Sequence, residues 1–236
     1  MKKIILGFLA ISMCPLVWGE CSVARDFNLT GVSSSGSLSN LVTLDDQKVT
    51  SFTQADLVLE SKAEMMTSRP LPTTSSIVAF EYITIIPSNL SNQEVAGGWL
   101  SNYLSDSESP TPLSGSLFAP TSDKNGQSMI LVGVGEPTPL YPSQEIITNG
   151  NNRIGIYINR KSKQIGYILN GVNKGYKWSF NDSMNRISFM LLNGFEGFTS
   201  KSENIGKEVS MELITDHSSL QYSYPSGATD ICGGLI

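Results

Sequence analysis

The chain has 236 residues, of which 40% are hydrophobic and only 16% are charged, and its formal net charge is −5. A net acidic chain disfavours broad nucleic-acid binding, which needs a positive footprint, so we expect no nucleic-acid partner. The chain has one histidine, which excludes an HExxH motif and a metal cage built from several histidines. We expect no metal and no cofactor.

Residues 1–19 have the parts of a secretory signal peptide. Lys2 and Lys3 precede an apolar run over residues 4–13, and Pro15 comes before the small-residue site that ends at Gly19. The run is too short for a stable membrane span, although a retained anchor is the alternative. We predict cleavage after Gly19, export to the periplasm or the exterior, one domain over residues 20–236, and no membrane span in the mature chain.

Cleavage would remove Cys14 and leave Cys21 and Cys232, one near each end of the mature chain. An oxidising compartment favours the pairing of an even number of cysteines. We therefore predict a Cys21–Cys232 disulfide that ties the termini together, with two free thiols as the alternative. By loop entropy, closing so long a loop would stabilise the fold by about 5 kcal/mol at most.

Strand signals dominate the rest of the chain, and Gly, Pro, Asn and Ser interrupt them at short intervals. Residues 54–66 suit a helix in part, although residues 55–59 suit a strand equally. Two polar stretches, 101–126 and 136–150, are predicted as long loops. The predicted strands are rich in apolar, β-branched and aromatic residues and cover 22–27, 77–86, 128–134, 154–159, 164–170, 186–192 and 208–215.

The clearest pattern lies over residues 154–171, where two predicted strands flank the polar loop 160–163 and an Asn-Gly turn follows. Side chains on each strand alternate between two apolar faces, which is typical of central strands. Gly155 and Gly166 leave room for a close neighbour. In strand 208–215, Val209, Met211 and Leu213 are expected to face one way and Glu208, Ser210 and Glu212 the other, as in a half-buried strand with one solvated face.

The hairpin, followed by Val172, Lys174 and Gly175, resembles the central hairpin of concanavalin A-like and SPRY-type domains. Phe80-Glu81-Tyr82-Ile83 is similar to an early strand of those domains, and Gly133-Val134-Gly135 lies where they carry an apolar strand. The resemblance covers residues 77–215. It implies an all-β fold, a two-sheet antiparallel β-sandwich or jelly roll with little helix, whose termini lie close together. The chain also resembles uncharacterised exported proteins of Gram-negative bacteria, a likeness that implies no activity.

Catalytic motifs are scarce, and we assign no catalytic residue. His217 has no Gly-x-Ser-x-Gly nucleophile elbow to serve, so we expect it in a surface turn. Some concanavalin-like domains are glycoside hydrolases, which need two carboxyl groups across the sugar bond. Glu81 lies on a predicted strand but has no second acid two or four residues later. We expect it to be structural or an outward-facing edge charge.

Exposed aromatic rings beside amide and hydroxyl groups are typical of sugar and peptide sites. The candidate binding residues are Trp99 and Tyr103, which we place in one loop over residues 97–103, Tyr141 in the loop 136–150, and Tyr176 and Trp178 after the hairpin. For both tryptophans the alternative is a place in the core.

The residues Arg160, Lys161, Lys163, Lys174 and Lys177 form a local basic patch, which is either a solvated hairpin end or a site for an acidic polymer. We predict a non-enzymatic binding protein of the cell envelope or exterior whose ligand is a glycan or a protein. The alternatives are a carbohydrate-active hydrolase that uses Glu81 with a loop carboxylate, and a structural envelope protein without a small ligand.

Overall fold

The structure is a computed structural model that describes residues 28–30, 42–45, 48–55, 62–66, 72–73, 75–87, 96–104, 111–116, 150–180, 184–193 and 198–236. Within these ranges the chain forms thirteen strands and one short 3-10 helix, His217–Ser219. In chain order the strands are β1 Asn28–Thr30, β2 Val42–Asp45, β3 Lys48–Phe52, β4 Lys62–Met66, β5 Ile77–Ile85, β6 Ala96–Leu104, β7 Thr111–Ser116, β8 Asn151–Asn159, β9 Gln164–Leu169, β10 Val172–Ser179, β11 Met184–Asn193, β12 Glu208–Ile214 and β13 Ala228–Thr229. The described part of the chain contains no helix long and apolar enough to cross a membrane.

The strands form two sheets. The five-stranded sheet has the order β1-β4-β11-β6-β7, and the eight-stranded sheet has the order β10-β9-β8-β5-β12-β3-β2, with β13 joined to β5. The short β13 pairs with β5 in parallel, and every other pair is antiparallel. Strands β6 and β11 lie against β12, and β11 also lies against β3. The predicted two-sheet antiparallel β-sandwich is therefore confirmed.

The eight-stranded sheet is buried on both of its faces around β5 and β8. Its inner face carries Phe80, Tyr82, Ile154 and Ile156, each of which is at most 1% exposed. Its outer face carries a separate apolar cluster made by Ile77, Ala79, Tyr157, Ile168 and Ala228. A strand that is covered on both faces favours apolar residues on both, which explains why β5 is apolar apart from Glu81 and Thr84.

The outer face is covered by residues 217–236, which we call the C-terminal strap. Tyr222, Tyr224 and Ile236 of the strap pack on the outer apolar cluster. The strap ends in a tight loop in which the Oδ1 atom of Asp230 accepts hydrogen bonds from the backbone N–H groups of Cys232 and Gly234, at 2.9 and 2.8 Å. The strap is joined to the sheet through β13, whose Ala228 oxygen accepts a hydrogen bond from the backbone N–H of Ile236 at 3.0 Å.

The hairpin forms as predicted. Strand β8 lies between β5 and β9, and β9 lies between β8 and β10, so both are central strands. Residues 160–163 make the turn between them. Asn170 and Gly171 have φ values of 47° and 85°, the left-handed conformations that a two-residue turn requires. In β12, Val209, Met211 and Leu213 are buried, as expected, but Ser210 on the opposite face is buried as well, so that face is not fully solvated.

Two local predictions are wrong. Residues 62–66 form strand β4, which pairs with β1 and β11, so the helix does not extend over them. Residues 97–103, predicted as a loop, belong to β6, which pairs with β11 on one side and β7 on the other. In both cases hydrogen bonds to sequence-distant strands override weak local propensity.

The first predicted loop is also interrupted by β7. Three other predicted segments, namely strands 22–27 and 128–134 and almost all of loop 136–150, lie outside the described residues. The same holds for residues 1–19 and for Cys21, so the signal peptide and the Cys21–Cys232 disulfide stay predictions.

Candidate functional site

Glu81 anchors the C-terminal strap to the centre of the outer face. Its side chain is fully buried, and its Oε2 atom forms an ion pair with Nε of Arg153. Its Oε1 atom accepts hydrogen bonds from the backbone N–H groups of Gln221 and Tyr222, at 2.9 and 2.8 Å, and from the Tyr224 hydroxyl at 3.2 Å. Glu81 was expected to be either a structural residue or an outward-facing edge charge. Because β5 is a central strand, it is not an edge charge but a structural residue.

Two glycines on the outer face make room for tyrosine rings. A Cβ atom at Gly155 would lie 2.5 Å from the Tyr224 hydroxyl oxygen and 2.7 Å from Cδ2 of Tyr222. A Cβ atom at Gly166 would overlap the ring of Tyr157. Tyr157 pairs with Gly166 across the hairpin, so its ring lies over the glycine and reaches toward β10. The close neighbour predicted at both glycines is confirmed.

Beyond Gly166 the outer face opens into a surface that we call the tyrosine platform, made of Tyr157, Tyr176, Asn159 and Asn173. The rings of Tyr157 and Tyr176 meet edge to face, with centroids 5.0 Å apart and an interplanar angle of 73°. Tyr157 is 2% exposed and Tyr176 is 36% exposed, so the buried ring supports the exposed one. Such aromatic pairs contribute about 0.5–1.5 kcal/mol beyond their burial.

Two amide side chains hold the platform together. The Tyr157 hydroxyl donates to Oδ1 of Asn173 at 2.9 Å, and the backbone N–H of Gly175 donates to the same oxygen at 2.8 Å. Nδ2 of Asn159 donates to the Tyr176 hydroxyl oxygen at 3.4 Å. Within the described part of the chain, Nδ2 of Asn173 has no acceptor, and Asn173 is exposed. The platform thus offers a ring, a hydroxyl and an amide donor to a ligand.

Register shifts in β10 separate the two aromatic residues predicted there. Tyr176 pairs with Gly166 on the outer face, whereas Trp178 pairs with Ile165, which belongs to the inner face. Trp178 is partly buried and stacks on Phe180, with centroids 6.4 Å apart. Of these two candidate residues, only Tyr176 therefore belongs to the platform. Bulges of this kind re-aim side chains and also blunt an edge strand.

Burial sets the electrostatics of the platform and the strap. Desolvation raises the pKa of Tyr157, and the neighbouring Tyr176 raises it further. Desolvation also raises the pKa of Tyr224, strengthened by the nearby Glu81 carboxylate. Both phenols therefore stay neutral at physiological pH.

His217 lies in the 3-10 helix at the surface, which agrees with the predicted surface turn, and its side chain is 43% exposed. Its Nδ1 atom lies 3.0 Å from Oδ2 of the buried Asp230, a contact that the sequence did not indicate. The hydroxyls of Ser218 and Ser219 hydrogen-bond to Asp216, at 2.7 and 2.9 Å. Asp216 is thus the N-cap of the short helix and holds both serine hydroxyls, and the pair of His217 and Asp230 joins the two ends of the strap.

The remaining predicted site residues lie elsewhere or outside the described residues. Trp99 and Tyr103 lie on β6, in the five-stranded sheet, and therefore on a different sheet from Tyr176. Tyr141 lies outside the described residues. Among the residues that the structure describes, no group of three or more His, Cys, Asp or Glu side chains could hold a metal ion.

The sequence analysis did not single out Tyr157, Asn159 or Asn173. One signal was available for Tyr157. With residues 160–163 as the turn, the hairpin register sets Tyr157 directly opposite Gly166, and an aromatic residue opposite a glycine indicates a ring that lies over the strand.

The family model of a domain of unknown function, DUF4882, matches residues 98–234. No curated protein sequence matches the chain. Among solved structures, the chain is similar to a GH131 beta-glucanase catalytic domain from Podospora anserina, with a TM-score of 0.47, 12% identity, and coverage of 86% of this chain and 89% of that one.

Two further solved structures are similar. The Emp46p carbohydrate recognition domain in its metal-free form has a TM-score of 0.43 and 10% identity, with coverage of 79% of this chain and 87% of that one. The SPRY domain of human HERC1 has a TM-score of 0.39 and 12% identity, with coverage of 75% of this chain and 93% of that one. These likenesses concern the fold alone, and they are of the concanavalin-like and SPRY type that the hairpin resembles.

Proposed function

The chain belongs to the family of domains of unknown function DUF4882, and we propose that it is a non-enzymatic glycan-binding protein that acts at the cell envelope or outside the cell. The proposal places the ligand on the tyrosine platform. Export depends on the signal peptide predicted over residues 1–19 and is part of the same proposal.

The observation that carries the proposal is the exposed ring of Tyr176, held by the buried Tyr157 at 5.0 Å between centroids. Asn159 and Asn173 flank this ring with amide groups. A rigid aromatic surface bordered by hydrogen-bonding groups suits a sugar ring, which has apolar C–H groups on its face and hydroxyls around its edge. Because contacts within the protein hold the Tyr176 ring, binding would order few side chains.

The hydrolase alternative loses its principal residue. A catalytic carboxyl group must reach the sugar bond. The Glu81 carboxylate is 0% exposed, and both of its oxygens are occupied by partners of the fold. Glu81 therefore explains the attachment of the strap and not a reaction.

A glycan array probed with the purified protein tests the proposal. We expect binding to at least one glycan, and we expect Tyr176→Ala to weaken it by about tenfold or more, as for a central aromatic contact. Phe52→Ala is the matched control, because Phe52 is also exposed, at 47%, but lies on β3, away from the platform. Binding that survives Tyr176→Ala unchanged would remove the platform as the site.

Trp99→Ala on the same array tests the candidate site on β6. Loss of binding in this variant, with Tyr176→Ala unchanged, would move the ligand to the five-stranded sheet. Absence of binding to any glycan would favour a protein ligand or the structural envelope protein, and pull-down of envelope proteins with the same variants distinguishes these two.

A further inference from the structure

The charge of the chain is distributed unevenly, and the platform lies where it is positive. The whole chain carries 21 acidic and 16 basic residues. No Asp or Glu occurs between Glu145 and Asp182, a stretch that contains all of β8, β9 and β10. The same stretch contains six basic residues, namely Arg153, Arg160, Lys161, Lys163, Lys174 and Lys177.

The two arginines of this stretch serve the fold. Arg153 is paired with Glu81 and also donates from Nη2 to the backbone oxygen of Ser219 at 2.5 Å. Nη2 of Arg160 donates to the backbone oxygens of Pro72 and Ser75. Both guanidinium groups thus have partners in the fold, whereas Lys161 and Lys177 are exposed.

Three of the lysines are close neighbours of platform residues in the chain. The backbone N–H of Lys161 donates to Oδ1 of Asn159 at 3.1 Å, so the backbone of Lys161 contacts one of the platform amides. Lys174 follows Asn173 in the chain, and Lys177 follows Tyr176. Lys161 and Lys177 are both exposed, and neither forms an ion pair within the described part of the chain. A lysine ammonium group lies on a flexible four-carbon stem and can therefore adapt to anionic groups on a ligand at a neighbouring site.

From this arrangement, and resting on the proposed glycan-binding function, we infer that the platform selects an anionic saccharide, whose sugar ring contacts Tyr176 while its carboxylate or sulfate groups meet the lysines. A neutral sugar would use the ring and the amides but would leave the lysines without a role. A polynucleotide also has anionic groups, but the rest of this acidic chain would repel so long a polyanion.

Edge protection is the competing explanation for the lysines, because charged residues on an edge strand prevent pairing with another chain. The two explanations predict different outcomes. Edge protection predicts that removal of the lysine charges increases aggregation and leaves ligand affinity unchanged. Anion selection predicts that their removal lowers the affinity for charged saccharides only.

Titration calorimetry with matched probes separates the two. The probes are a galacturonate hexamer, the same hexamer with its carboxylates reduced to alcohols, a sulfated hexamer of the reduced sugar, and a single-stranded oligonucleotide of equal charge. We expect the charged hexamers to bind at least tenfold more tightly than the reduced hexamer, and the preference to shrink as salt is raised. The uronate and sulfate probes show which anionic group is preferred.

The test variant is Lys161→Gln/Lys177→Gln, and the control is Lys201→Gln/Lys207→Gln, which removes two exposed lysines outside the platform. We expect a loss of about two- to fivefold in affinity for each platform lysine, typical of exposed ion pairs, and no loss in the control.

Binding of the reduced hexamer as tight as that of the uronate would overturn the inference while leaving glycan binding intact. If no hexamer binds and the protein also binds to no glycan on the array, the proposed function itself fails. Equal binding of the oligonucleotide, insensitive to Tyr176→Ala, would show charge attraction without a sugar site and would also overturn the inference.

Discussion

At the scale of the residue, Glu81 decides how the outer face is covered. One buried carboxylate meets an arginine on β8, two backbone N–H groups of the strap and the Tyr224 hydroxyl. A buried charge is tolerated only when it is paired and hydrogen-bonded, and Glu81 satisfies both conditions. Arg153 in turn bonds to the strap through Ser219. The strap and the sheet therefore share one polar centre.

The variant Glu81→Gln tests this centre. The substitution leaves the Arg153 cation without its counter-charge in a buried setting, and it replaces one acceptor oxygen by a donor. We expect a loss of about 3–5 kcal/mol in the free energy of unfolding, measured by urea denaturation. The matched control is Glu208→Gln, which breaks a 2.7 Å ion pair with Lys48 whose side chains are 33% and 32% exposed. We expect the control to cost about 1 kcal/mol or less, and equal losses in the two variants would contradict this assignment.

A second residue-scale prediction concerns Gly166, over which the Tyr157 ring lies. Gly166→Ala would force this ring to move, and overpacking of this kind costs about 1–3 kcal/mol. Since Tyr157 supports Tyr176, we also expect weaker glycan binding in a variant that remains folded by circular dichroism. Gly171→Asn is the control, because Gly171 has a φ of 85° but no neighbour within 4 Å of an added Cβ. If Gly166→Ala behaves like this control, the ring does not depend on the glycine.

At the scale of the element, the C-terminal strap acts as a cover for β5 and β8. Its tyrosines are amphipathic: their rings pack on the apolar cluster, while the hydroxyls of Tyr222 and Tyr224 bond to the oxygens of Arg153 and Phe80, at 2.9 and 3.3 Å. Burial raises the pKa of Tyr224. The strap is therefore attached in a form that requires protonated phenols.

This attachment predicts alkaline sensitivity. In the unfolded chain a tyrosine loses its proton near pH 10. The folded protein holds the Tyr224 proton to higher pH, so its stabilising effect is complete below about pH 10 and is lost as the pH rises above that value. We expect Tyr224→Phe to be less stable than the unaltered chain by about 1 kcal/mol at neutral pH, because the one hydroxyl hydrogen that Glu81 and Phe80 share is removed. The difference should narrow above pH 10 in thermal unfolding, and a constant difference up to pH 11 would contradict the shifted pKa.

At the scale of the whole molecule, the predicted disulfide would determine whether the strap is attached to the fold by non-covalent contacts alone or also by a covalent bond. Cys232 lies in the loop that Asp230 organises at the end of the strap. The predicted bond to Cys21 would connect this loop to the start of the mature chain and would restrict the unfolded state. The strap would then be attached at both ends, because Glu81 binds the other end through Gln221 and Tyr222.

The disulfide predicts a difference between oxidised and reduced protein. We expect Cys232→Ser to lower the free energy of unfolding by about 2–5 kcal/mol relative to the oxidised protein, and we expect reduction to have no effect on the variant. Thiol alkylation followed by mass measurement checks the pairing directly. Two alkylated thiols in the unreduced protein, expressed with its predicted signal peptide, would show that the bond does not form.

The hairpin is the part that the sequence determined by itself. Its alternation of apolar residues, its polar loop and its Asn-Gly turn are local signals, because strand faces and turn geometry depend on neighbouring residues only. Glu81 shows the limit of such signals. Its strand was predicted, but its burial was not. Its partners Arg153 and Tyr222 lie 72 and 141 residues away in the chain.

Strands β4 and β6 show the same limit at the level of elements, since partners distant in sequence made them strands where local propensity favoured a helix or a loop. The platform needed the tertiary structure as well. Spacing sets Tyr176 and Trp178 on one face of a strand, and the bulges in β10 divide them between two faces. Local patterns thus determined the sandwich hairpin, whereas the covering strap and the exposed ring of Tyr176 were decided by contacts that form only when distant strands pair and pack.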